Sequence, residues 1–106
     1  MDWKRLCIIR GSHVAIQAYD GKIISILCGS ELYNDLISNE QIEYLIPNRN
    51  HYKKSISYFE KNLKEKLKIQ VYKKEFVDCW SEMGTYIVEN IAETELNYTI
   101  SLKAKK

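Results

Sequence analysis

At 106 residues the chain holds one domain, because a second would lack the apolar surface to support itself. Its 45% apolar content and single proline suit a core that forms without disulfides or metal. The net charge is +2, and no apolar run approaches the ~20 residues of a membrane span, which excludes a transmembrane helix.

Residues 1–19 carry Asp2, Lys4, Arg5 and Arg10 among apolar residues, with no cleavage-site pattern, so no export signal is read. Cys7, Cys28 and Cys79 are odd in number and form no C-x-x-C pair. Free thiols without a signal imply a cytoplasmic protein.

In chain order, Leu6 and Ile8 alternate with Cys7 and Ile9, and a first strand is expected there before Gly11-Ser12. Val14, Ile16 and Ala18 alternate next and predict a second strand. Asp20-Gly21 is a two-residue hairpin signal, since a type I′ turn needs positive φ at both positions. Lys22 to Cys28 supplies the return strand. Ser30 then caps a short helix carrying Leu32, Leu36 and Ile37, and Ser38-x-x-Gln41 is a second capping box before Ile42, Leu45 and Ile46. Helix is therefore expected over 31–46.

Asn48 or Asn50 caps a longer helix whose stripe is Tyr52, Ile56, Phe59, Leu63 and Leu67. Leu67, Ile69 and Val71 alternate as a short strand. From Glu75 to Ile91 the residues separate at ~100° per residue into an apolar side and an acidic side, which predicts a third helix with Gly84 at a close packing point. Leu96, Tyr98, Ile100 and Leu102 close the chain as a half-buried strand. The expected class is α+β, a mixed and mostly antiparallel sheet of about five strands with three helices, in the order β-β-β-α-α-β-α-β.

No phosphate-binding loop, dinucleotide fingerprint, zinc-protease pair, nucleophile elbow or EF-hand loop occurs. His13 and His51 cannot build a histidine-rich metal site, and no metal or cofactor is expected. His13 with Cys7 or Cys28 could pair as base and nucleophile on adjacent strands. Cysteines on apolar strands more often act as small buried hydrophobes, and no third group is present to orient the pair, so no enzyme is expected. Ile8-Ile9-Arg10-Gly11-Ser12-His13-Val14 resembles the first strand and turn of the ribonuclease H-like Holliday-junction resolvases. Ile9 and Arg10 stand where that family needs its metal-holding acid, so the resemblance implies a shape without the activity.

Charge is distributed unevenly. Arg49, Lys53, Lys54, Lys61, Lys64, Lys66, Lys68, Lys73 and Lys74 face only Glu60 and Glu65 between residues 49 and 74, whereas 75–95 holds six acids and no base. On the basic helix, Lys53, Lys54, Lys61 and Lys64 share about 100° of arc opposite the apolar stripe. They form either a solvated face or a phosphate-binding one. On the third helix, Glu75, Asp78, Glu82 and Glu89 share the polar side. They either pair with the chain's own lysines or dock a cationic partner.

Small size, no active site, no export signal and this acidic face together resemble, as a class, the cytoplasmic immunity proteins of bacterial contact-dependent inhibition and related toxin systems. That resemblance implies a non-enzymatic inhibitor that binds a cognate toxin, a cationic nuclease domain, through Glu75, Asp78, Glu82 and Glu89. Neither a membrane nor a nucleic acid is then expected as a partner. Two alternatives stay open: a phage-type inhibitor of a bacterial defence system, and a small nucleic-acid-binding or degenerate ribonuclease H-like protein using Lys53, Lys54, Lys61 and Lys64.

Overall fold

A computed structural model of the chain describes residues 1–29, 36, 37 and 40–105. The described residues form two α-helices and one curled sheet. The helices are α1 (Trp3–Arg10) and α2 (Lys53–Glu65), the latter entered through a single 3-10 turn, Asn50–Tyr52. The strands are β1 (Ile16–Tyr19), β2 (Lys22–Cys28), β3 (Leu36–Ile37), β4 (Gln41–Pro47), β5 (Ile69–Phe76), β6 (Cys79–Glu93) and β7 (Asn97–Ala104). Six of these span four residues or more, and β3 is a two-residue edge. Three helices and five strands were expected, so the predicted fold class is corrected.

Three segments account for the difference. Residues 3–10 are helical because both ends are capped. The Asp2 side chain accepts the Arg5 N–H at 2.8 Å, and Gly11, at φ +68°, returns its N–H to the carbonyls of Cys7 and Ile8. The alternation read at Leu6 to Ile9 was only four residues long, too short to outweigh two caps. This also removes the resolvase-like strand, since Ile8 to Arg10 end a helix. Residues 41–47 are extended, with Ile42, Tyr44 and Ile46 buried at period two. The predicted caps and helix over 30–35 and at 38 and 39 lie outside the described residues.

The third correction concerns Glu75 to Ile91. This stretch is the end of β5, a two-residue turn and most of β6, with Phe76 opposite Cys79 and Asp78 at φ +55°. The β-branched Thr85, Ile87 and Val88 fit a pleated surface, and two neighbouring strands satisfy their backbone. Bulges at Val71/Tyr72 and Val88/Asn90 break the alternation, which is how the segment imitated a helical period.

The Asp20-Gly21 hairpin forms as read, with φ of +54° and +75° and Tyr19 opposite Lys22. The strand order is β1-β2-β5-β6-β7-β4-β3, and only β2 and β5 run parallel. The sheet curls into a half-barrel. The Tyr44 hydroxyl on β4 donates to the Leu27 carbonyl on β2 at 3.0 Å, although three strands separate them. On a flat sheet that separation would be about 19 Å at ~4.8 Å per strand.

α2 lies inside the curl. Ile56, Phe59 and Asn62 are its buried residues, and Phe59 packs tilted against Tyr44 with ring centres 6.5 Å apart. The main core joins Ile23, Ile26, Ile69, Val71, Tyr86, Val88, Ile100 and Leu102 to that helix. A smaller core on the outer face joins Leu6 of α1 to Leu27, Tyr72 and Trp80. The chain start is tied down there, because Met1 and Trp80 exchange two 2.7 Å backbone bonds and Trp3 lies 5.5 Å from the Trp80 ring. No described helix is long and apolar enough to cross a membrane.

Candidate nucleic-acid interface

The four predicted acidic residues do not form a platform. Glu75 lies one residue before the end of β5, where its carboxylate accepts the Ser81 hydroxyl at 2.7 Å and lies 3.8 Å from the Lys73 ammonium. Asp78 occupies the β5–β6 turn and accepts the Trp3 N–H at 2.7 Å. Glu82 and Glu89 are exposed on β6, the latter in its bulge. Two of the four are thus engaged by the chain itself, and extended backbone spreads the set along some 14 residues rather than stacking it on one helix face.

The basic residues are on a helix, as their spacing required. Lys54, Lys61 and Lys64 project from the solvent side of α2. Lys61 and Lys64 are one turn apart, and Lys54 and Lys61 are two turns, ~10 Å, apart. Among the described residues the one ion pair within 4 Å is Lys73–Glu75, so Glu60 and Glu65 neutralise none of the three by direct contact. Lys53 differs. It donates to the Tyr98 hydroxyl and to Asn48 Oδ1 at 3.1 Å, and its ammonium lies 5.0 Å over the Tyr98 ring. The bond to Tyr98 raises its pKa above the ordinary lysine value against a smaller desolvation effect. Lys53 therefore ties α2 to β7 and is not a free phosphate ligand.

The β1–β2 turn reaches the same surface. The Lys61 ammonium approaches the Asp20 carbonyl to 3.5 Å and lies beside Gly21. Next to that turn Tyr19 is 71% exposed. The hairpin tip and the solvent side of α2 therefore form one surface, on which the lysines are the phosphate-binding groups. The hairpin was readable from Asp20-Gly21, but its contact with α2 was not, because no local pattern encodes a neighbour 40 residues away.

The histidine–cysteine pairing does not form. Cys28 is buried on β2, Cys7 is on α1 and His13 is exposed in the loop after it. His51 instead meets Tyr52 edge-on at 5.0 Å. No group of three or more metal-ligating side chains occurs among the described residues.

No protein family matches the sequence, and no curated protein is significantly similar to it. Solved structures do match. The SUVH5 SRA domain in complex with hemi-methylated CG DNA superposes with a TM-score of 0.81 at 18% identity, over 99% of this chain and 84% of that one. The same SRA domain with fully methylated CG DNA gives 0.76 at 17% identity, over 96% and 82%. The chain shares the fold of that domain. The toxin-inhibitor expectation is corrected on two grounds: its acidic helix is a strand, and the fold shared over almost the whole chain is one solved in complex with DNA. The expectation that nucleic acid is no partner falls with it.

Proposed function

We propose that the chain is a nucleic-acid-binding domain that engages duplex DNA, without catalysis, through the α2 surface formed by Lys54, Lys61 and Lys64. The observation that carries this reading is the near-complete fold match to SRA domains held on methylated CG duplexes. These lysines, none in an ion pair among the described residues, supply the charge such a contact needs, because each neutralised phosphate releases condensed counterions.

Fluorescence anisotropy with unmethylated, hemi-methylated and fully methylated CG duplexes tests it. Binding should weaken with salt, with a log–log slope of about −3 for three phosphate contacts. Reversing all three charges (Lys54→Glu, Lys61→Glu, Lys64→Glu) should abolish it while the fold persists. No binding to any of the three duplexes at low salt would end the proposal.

A further inference from the structure

Beneath α1 lies a polar row that the proposed DNA surface does not use. Gln17 on β1, Ser25 on β2 and Gln70 on β5 are successive partners in register across three neighbouring strands. Arg10, from the last turn of α1, lies over that row and is only 9% exposed. Its Nε donates to Ser25 Oγ at 2.8 Å, Ser25 Oγ donates to Gln17 Oε1 at 2.7 Å, and Gln17 Nε2 donates to the Arg10 carbonyl at 2.9 Å. This closed ring of bonds orients the guanidinium by its Nε side. At the other end of the fork, Nη1 and Nη2 are both buried without a hydrogen-bond partner, and among the described residues no carboxylate lies within 4 Å. Gln70 Oε1 is a third buried atom without a partner. Turning that amide over presents its NH2 group in place of the oxygen.

A buried guanidinium without a counter-charge is costly, and one locked in orientation with its two parallel donors unused matches a bidentate oxyanion. We propose that Arg10 is an oxyanion receptor, of phosphate class, at the seam between α1 and the sheet. Gly11, which follows Arg10 at positive φ, has nothing within 4 Å of where a Cβ would stand, so the space beside this helix end is open. The oxyanion is either a free phosphate or a phosphate of a bound nucleic acid. The inference does not depend on DNA binding.

The test is thermal unfolding of the full chain in inorganic phosphate against chloride at equal ionic strength, with Arg10→Met and Arg10→Lys beside the wild type. Phosphate should raise the wild-type midpoint saturably. Arg10→Met, which removes an uncompensated charge, should fold and show no phosphate-specific rise. Arg10→Lys keeps the charge, lacks the fork, and should lose most of the rise; it preserves the test if the methionine variant does not fold. A second arm measures duplex binding: tenfold or greater weakening in Arg10→Met, with competition by free phosphate, assigns the site to a backbone phosphate. Unchanged duplex binding with a lost phosphate response assigns it to the free ion. An equal phosphate response in all three proteins, or none in the wild type, overturns the assignment.

Discussion

The side chain of Asn62 on α2 bonds both backbone groups of Ile23 on β2, accepting its N–H at 2.8 Å and donating to its carbonyl at 2.9 Å. A fully buried amide thus acts as a strand partner and fastens the helix into the curl of the sheet. Replacing Asn62 by leucine should fill the space yet leave both Ile23 groups unsatisfied in the core. We expect a loss of about 2–4 kcal/mol, read from urea unfolding as a lower midpoint at unchanged slope.

The lysines of α2 should separate by role. Lys61→Ala should reduce the salt slope of duplex binding by about 1 and leave the thermal midpoint nearly unchanged. Lys53→Met should do the reverse, because its contacts are to Asn48 and Tyr98 of the chain itself. Identical slopes for wild type and Lys61→Ala would remove Lys61 from the interface.

Alkaline pH should destabilise the fold by a route visible in Tyr72 and Tyr86. Burial raises both phenol pKa values, and for Tyr72 the charge of Glu82 adds to the effect. Lys53 is raised as well, by its bond to Tyr98. Above the unfolded pKa values, near pH 10, the unfolded chain releases these protons while the native state retains them. The native state then binds more protons and stability falls as pH rises, whereas below about pH 9 these groups contribute fully. Thermal midpoints from about pH 8 to about pH 11 should therefore decline more steeply for wild type than for Tyr72→Phe; parallel curves would contradict the assignment.

Two glycines should respond differently to alanine. Gly29 has φ +79°, and a Cβ there would stand 3.1 Å from the Lys74 carbonyl oxygen, where β2 and β5 approach closely. Gly11 has positive φ but open space around it. Gly29→Ala should cost about 2–4 kcal/mol from backbone strain plus overpacking, and Gly11→Ala about 1 kcal/mol from strain alone. Gly11→Asn should cost less still, since asparagine tolerates the left-handed region. Equal losses at the two sites would show that the Lys74 contact is relieved without cost.

The sequence by itself determined what local stereochemistry controls. The Asp20-Gly21 turn, the Ile56, Phe59 and Leu63 part of the stripe on α2, and the alternation of Tyr98, Ile100 and Leu102 all appear where periodicity and turn chemistry put them. So do the outward lysines 54, 61 and 64. Tyr52 and Leu67 of that stripe fall just outside the helix. Tertiary structure decided the rest. Whether Cys79–Glu93 is helix or strand depended on β5 and β7 standing on either side to accept its hydrogen bonds, since bulges had blurred its period. Arg10 became a buried cation whose Nη1 and Nη2 lack a hydrogen-bond partner only because α1 folds back over Ser25 and Gln17. Side-chain periods record the face a residue presents, but a neighbour supplied by another element is written in no local pattern, and that neighbour settles both strand pairing and the chemistry of a site.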